Sequence, residues 1–273
     1  MKKILVPCDF SDPAVQAFKF ACNIARKSGG EILLLHVIEL PVLYDTGAVL
    51  TFEEAYLKDR KADADKNFAK MKEKWAMDIA GFQTIVEYGG AVPVIRKLIH
   101  EKKVDLVIIG THGASGLKEF AIGSNAEKIV RTSEVPVIAI KKETPEIKNI
   151  IFPTSPDIAD EELVKKVKEL QDFFGARLHI LFVNTPASFR RDSETRPALE
   201  AMAKKFDLKN FSINICNDIS EEEGIAAFSK EATADMVAMR THGRRGLAHL
   251  ATGSIAEDLV NHINCPIWTF KIK

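Results

Sequence analysis

Only four cysteines occur in this 273-residue chain, Cys8, Cys22, Cys216 and Cys265, and no two stand in a Cys-x-x-Cys pair. They form no metal-ligand cluster either, and reduced, mostly buried thiols in a cytoplasmic protein are expected. His262 and Cys265 lack the further ligands that zinc needs. Charge of either sign is not in excess, with 38 Lys plus Arg against 38 Asp plus Glu. The chain therefore lacks the basic footprint of a nucleic-acid partner. Long apolar runs are missing too: no window reaches the length of a membrane span. The opening Met1-Lys2-Lys3-Ile4-Leu5-Val6-Pro7 starts like a signal peptide but breaks at Pro7 and meets Asp9 and Asp12. No membrane, no nucleic acid and a cytoplasmic location follow as expectations.

What the chain has is an alternation of short apolar runs and amphipathic stretches. Lys3–Pro7 reads as a buried parallel strand, followed by a helix that starts near Ser11-Asp12-Pro13 and ends at Gly29-Gly30. Strands are expected at 31–38, 82–87, 105–109 and 135–140, and helices at 52–79, 92–101 and 124–132. The segment from Pro41 to Thr51 reads as a loop. Such βα alternation implies a parallel sheet with right-handed crossovers and helices on both faces.

The pattern then restarts. Strands are expected at 149–153, 177–183, 211–216, 236–239 and 266–270, with helices at 161–174 and 197–206. The polar stretch 184–196 reads as a mobile loop. Gly110-Thr111-His112-Gly113, running on to Gly123-Ser124, returns as Arg240-Thr241-His242-Gly243, running on to Gly253-Ser254. So many residues in register mark an internal duplication. Two domains are expected, 1–143 and 147–273, joined by a tether short enough to favour close packing.

In a doubly wound sheet, ligands sit beyond the carboxyl ends of the strands where the strand order reverses. Here that point is flanked by the first and fourth strands. Pro7-Cys8-Asp9 and the Gly110–Gly113 loop should meet there, with the Ser124 helix start beside them. Backbone N–H groups freed by glycines, together with a helix N-terminus, cradle phosphate. Asp9 could accept a hydrogen bond from a ribose hydroxyl, or could simply cap the first helix. The sequence offers no Walker lysine, no paired carboxylates for a metal and no acid/base partner beside His112 or His242. No catalytic residue and no metal ligand is therefore assigned, and those histidines read as loop packing. Trp75 and Trp268 read as packing residues.

The set Gly110, Gly113, Gly123 and Ser124, with Asp9 ending the first strand, resembles the universal stress protein family. Ile4-Leu5-Val6-Pro7, Leu35-His36-Val37, Asp105-Leu106-Val107 and Ala126-Glu127-Lys128-Ile129-Val130 support the resemblance across two tandem copies. It implies two Rossmann-like domains of the adenine nucleotide alpha hydrolase-like type, each a five-stranded parallel sheet with helices on both faces. ATP is the implied ligand, in some members with Mg or Mn. Carried over, the nucleotide-binding residues are Pro7, Asp9, Val37, Gly110, His112, Gly113, Gly123, Ser124 and Asn125. The second copy departs at Ser155, in place of Asp9, and at Arg240, in place of Gly110, while it keeps Gly243, Gly253 and Ser254. It is expected to be degenerate. The family also implies pairing through the fifth strands, here an intramolecular pseudo-dimer, with a further homodimer as an open alternative. A stress-response regulator that retains nucleotide leads over a slow ATPase or adenylyl-transfer enzyme, and over a nucleotide-independent adaptor.

Overall fold

The computed structural model describes residues 1–39, 49–111, 123–144, 146–156, 160–241, 259 and 263–271. In the first half these form β1 (Lys3–Pro7), α1 (Asp12–Ser28), β2 (Glu31–Ile38), α2 (Val49–Trp75), β3 (Phe82–Tyr88), α3 (Ala91–Lys102), β4 (Leu106–Gly110), α4 (Ser124–Thr132) and β5 (Val137–Ile140). In the second half they form β6 (Asn149–Pro153), α5 (Glu161–Phe174), β7 (Arg177–Asn184), α6 (Asp192–Lys205), β8 (Phe211–Asn217), α7 (Glu221–Glu231), β9 (Met236–Thr241) and β10 (Ile267–Lys271).

All ten strands belong to one sheet, ordered β3-β2-β1-β4-β5-β10-β9-β6-β7-β8. Every neighbouring pair runs parallel except β5 with β10, where Trp268 lies opposite Ile138 in an antiparallel register. The expected fifth-strand pairing is therefore made within one chain. The sequence order reverses between β1 and β4, which pair directly, as the duplicated pattern required.

The duplication extends to single hydrogen bonds. One carboxylate oxygen of Asp105 accepts the N–H groups of Lys2 and Lys3, both at 2.9 Å. One oxygen of Asp235 accepts those of Lys148 and Asn149, at 2.9 and 2.8 Å. Each clamp satisfies backbone donors where a strand enters the sheet, so register is set by the fold and not only by the apolar pattern. Gly29 and Gly175 end α1 and α5 in the left-handed conformation that favours glycine (φ 63° and 69°).

Strand residues alternate between the two faces. Ile4 and Val6 join Phe18 and Trp268 in one core layer, whereas Leu5 joins Ile95 and Ile129 in the other. Both layers run through both halves, so the seam is packed as a core on each side of the sheet.

One expectation needs correction in the second half: the stretch 184–196 is not a loop throughout, because α6 starts at Asp192 rather than Pro197. The Asn184 side chain accepts the Arg190 N–H at 2.8 Å and donates to the Arg190 carbonyl at 3.1 Å and to Asn217 at 3.0 Å. That closes a local turn and leads into an acidic first helical turn. Pro197 lies inside α6, where its missing N–H leaves the Ser193 carbonyl without its helix donor. Helix α7 was passed over in the sequence because three consecutive glutamates and Gly224 hide a narrow apolar stripe.

Candidate functional site

β1 ends at Pro7, and Cys8 is still held in the sheet by its N–H bond to the Leu35 carbonyl (2.7 Å). The chain then turns sharply. Phe10 takes a left-handed conformation (φ 65°), unfavourable for a side chain with a Cβ by roughly 1–2 kcal/mol. It is held there by contacts with His36 (ring centroids 4.7 Å apart) and Phe68 (5.4 Å). His36 in turn donates its Nδ1–H to the Cys8 carbonyl at 2.8 Å. That hydrogen bond also fixes its neutral tautomer.

This turn places Asp9 at the mouth of a cleft of about 320 Å3. One Asp9 oxygen accepts both the N–H (3.1 Å) and the hydroxyl (2.5 Å) of Ser11. Asp9 thus braces the start of α1, the structural role weighed for it above, and lines the cleft as well.

The cleft brings together Pro7, Asp9, Val37, Gly110, Gly123, Ser124 and Asn125, drawn from β1, β2, β4 and α4. His112 and Gly113 lie outside the described residues, as do Gly243, Gly253, Ser254, His242 and His262. Sequence reasoning missed Glu39, Ala91 and Ile95, which also line the cleft. Ala91 opens α3, and the small residues Gly89-Gly90-Ala91 were the only signal available for it.

Two glycines play parts other than the expected one. Gly110 is needed because α1 presses on it: a Cβ there would stand 2.7 Å from the Ala14 nitrogen and the Pro13 carbonyl carbon. Gly123 spends its N–H on the Thr111 carbonyl at 2.6 Å. The first-turn residues of α4 that line the cleft are Ser124, Asn125 and Ala126, whose N–H groups have no acceptor within the helix. Gly123, the N-cap, supplies no side-chain acceptor for them. They form an anion-receptive edge, reinforced by the helix dipole.

Cys8 also lines the cleft, but burial pushes its thiol up to about 12, so it stays protonated and unreactive near neutral pH. Among the described residues no group of three His, Cys, Asp or Glu side chains could hold a metal ion.

The equivalent region of the second half is built differently. Ser155 follows Thr154, whose N–H bond to Leu181 (2.9 Å) mirrors that of Cys8, so no carboxylate occurs at this place. Arg240 stands at the place of Gly110. α1 has 17 residues and α5 has 14, although both end on equivalent glycines. Asp160, the α5 cap residue, stands at the place of Ala14. Glu221 opens α7 as Ala91 opens α3. Burial pushes the Arg240 guanidinium down, and the charges of Glu221 and Asp160 oppose that. The Glu221 carboxyl is pushed up by burial and by Glu222, against the pull of Arg240. Two small cleft positions have become two opposite charges that attract each other. Gly224 further lets α7 settle on Val183, the counterpart of Val37: a Cβ on Gly224 would lie 2.5 Å from a Val183 methyl.

Comparison with known proteins agrees with this architecture. The sequence profile of the Universal stress protein family matches residues 1–141 and again 146–271. The chain belongs to that family. Universal stress protein MJ0531 of Methanocaldococcus jannaschii is 32% identical over 143 residues, covering 52% of this chain and 82% of its own length. Universal stress protein Slr1230 of Synechocystis is 24% identical across 99% of this chain and 100% of its own length, so the tandem arrangement recurs there. A crystal structure of a universal stress protein from Archaeoglobus fulgidus superposes with a TM-score of 0.77 at 20% identity, covering 98% of each chain. That likeness concerns the fold. No helix among the described residues is long and apolar enough to cross a membrane.

Proposed function

We propose that this universal stress protein binds one adenine nucleotide per chain, ATP, in the first-half cleft, and that the second half binds none. The observation that carries the reading is the α4 N-terminus beside the cleft. Ser124, Asn125 and Ala126, whose amides have no acceptor within the helix, line a cleft of small-molecule size at the β1–β4 reversal, which Asp9 and Val37 also line. Phosphates would lie on those amides, with the adenine against Val37 and the ribose toward Asp9. His112 and Gly113 are assigned to the phosphate side by the family resemblance. Mg or Mn would be carried by the phosphates.

The second half supports the reading by contrast. Arg240 and Glu221 stand where the first half has Gly110 and Ala91, Gly224 brings α7 onto Val183, and Ser155 supplies no carboxylate. The role proposed is a nucleotide-holding regulator in which the second half completes the sheet. Four free cysteines suit a reducing cytoplasm. A further homodimer would need another surface, since the β5 edge is already paired with β10.

Isothermal titration with ATP should give one site per chain, and two equal sites or none would refute the proposal. Ala91→Glu, which copies Glu221 into the first half, puts a carboxylate beside the phosphate edge without touching the packing at Gly110. Loss of one charge-assisted contact is worth about 1.5–3 kcal/mol, so affinity should fall roughly ten- to hundredfold. Unchanged affinity in Ala91→Glu would place the nucleotide elsewhere.

A further inference from the structure

Near the start of β6, β7 and β8 the second half carries polar side chains where the first half is largely apolar. Leu33 lies opposite Gln83 in the first half, as His179 lies opposite Ser212 in the second. Leu33 is 1% exposed and belongs to the core beside Leu98. His179 is only half-buried, with its ring edge-on to Phe228 at 6.1 Å. Ile85, opposite Leu35, is likewise matched by Asn214, opposite Leu181. Apolar side chains would seal this face at lower cost, so the polar set calls for a reason.

The hydrogen bonds fix the direction of each proton. Asn149 Oδ1 can only accept, so the His179 Nε2 that lies 3.3 Å from it carries a hydrogen. Nδ1 of the neutral ring is then an acceptor, and it receives the Ser212 hydroxyl at 3.1 Å. The Ser212 oxygen in turn accepts from the Asn214 amide at 3.1 Å. Burial and then Arg177 hold the imidazole below its ordinary value, which keeps it neutral and able to take a proton near pH 7. A hydroxyl aimed at one imidazole nitrogen, with the other nitrogen oriented by a carbonyl oxygen, is the arrangement that makes serine a nucleophile. β8 ends the sheet. The Leu178 N–H bonds the Asn210 carbonyl, so Asn210 and Ser212 turn their backbone groups toward β7 and Ile213 turns its N–H outward. The Ile213 carbonyl accepts from Arg196 at 3.2 Å, which brings a guanidinium to the same edge.

We propose that Ser212 is the nucleophile of a second site, which takes an acyl group from a small activated ester. Ser212 Oγ bonds to the ester carbonyl carbon while its proton passes to His179 Nδ1. The Ile213 N–H, on the residue after the nucleophile, is the donor for the oxygen on which charge develops. The bond from the carbonyl carbon to the leaving oxygen then breaks, and His179 returns the proton to that oxygen. Acyl-serine and free alcohol result. Water attacking the acyl carbon through the same base restores the serine and releases the acid. Asn149 is a positioning residue that keeps the hydrogen on Nε2. Ser212, His179 and Asn149 are all half-buried near the sheet edge, which suits a small acyl donor. The nucleotide cleft is in the other half, so the two sites stand or fall separately.

p-Nitrophenyl acetate is a suitable probe for the full chain. In acid-quenched samples, peptide mass spectrometry should place the mass of one acetyl group on Ser212, with release of p-nitrophenolate. Ser212→Ala should abolish that label, and His179→Gln should slow its appearance about a hundredfold. His179→Leu, which copies Leu33, should do the same and serves if His179→Gln does not fold. Asn149→Leu should slow acetylation, and Asn149→Asp, which keeps the acceptor oxygen, should restore it. ATP binding should be unchanged in all these variants. Acetyl groups found only on lysines or the amino terminus, or a Ser212 label that forms as fast in a His179 variant as in the parent, would overturn the inference.

Discussion

Gly110→Ala should damage the protein far more than its single methyl group suggests. The added Cβ would lie 2.7 Å from the Ala14 nitrogen, 2.7 Å from the Pro13 carbonyl carbon and 2.9 Å from the Pro13 oxygen. All three are backbone atoms of the first turn of α1, so no side chain can swing away to relieve the contact. Gly110 is itself fixed by its pairing with Ile140 in the sheet. The helix must therefore move, and its buried face carries Phe18, Ala21, Cys22 and Ala25. Overpacking of this kind costs about 1–3 kcal/mol, and rigid neighbours favour the upper part of that range. At roughly 2–4 °C per kcal/mol for a domain of this size, a fall in Tm of about 4–12 °C is expected by calorimetry. ATP affinity should drop as well, because the α1 start is tied through Ser11 to Asp9. A Gly110→Ala protein that melts within a degree of the parent would refute the reasoning, since it would mean α1 does not bear on β4.

Two further predictions concern ionisation. The carboxyl of Glu221 is held above its usual range, with burial as the main cause. Its ionised form therefore opposes folding at neutral pH, and that penalty fades as pH falls through its raised folded value and is gone below the unfolded value of about 4.3. Glu221→Gln should raise Tm at pH 7, with the advantage closing toward pH 4; a lower Tm at pH 7 would show that attraction to Arg240 outweighs burial. His179 is held below its ordinary value by burial and then by Arg177, between Asn149 (3.3 Å) and Ser212 (3.1 Å). The stability it contributes is present above about pH 6.5 and is lost as pH falls through its folded value. His179→Gln should flatten the acid slope of urea midpoints between pH 6.5 and 5, and an unchanged slope would count against the assignment.

The strands were legible because burial on both faces leaves a short apolar run with little else it can be. Lys3–Pro7, Glu31–Ile38 and Asn149–Pro153 came out with their observed bounds, and α4 was set by Gly123-Ser124. The β1–β4 crevice was legible for the same reason, since parallel connectivity fixes where sequence order reverses. What the sequence hid was the reason for particular residues. Gly110 looked like a phosphate-loop glycine, and the close approach of α1 that demands it is a contact between elements about a hundred positions apart. The amide of Gly123 looked available, yet the Thr111 carbonyl takes it. Glu221 carried no signal at all, because its helix start was obscured by two further glutamates and Gly224.

The changes in the second half make physical sense only together. A side chain at the place of Gly110 would meet the first turn of α1, whose backbone lies 2.7 Å from a Cβ there. In the second half α5 starts at Glu161 behind the cap residue Asp160, whose side chain accepts the N–H groups of Glu162 and Leu163 and whose charge acts on Arg240. A half-buried cation introduced alone would be destabilising, and Glu221 supplies a second opposing charge from across the cleft. Each substitution is unfavourable in the setting of the first half and supported in the setting of the others. The second cleft is therefore not a first-half site that merely lost a ligand contact. It is a different arrangement of charges on the same strands, and the sheet that carries it is untouched because none of these residues takes part in the β5–β10 seam.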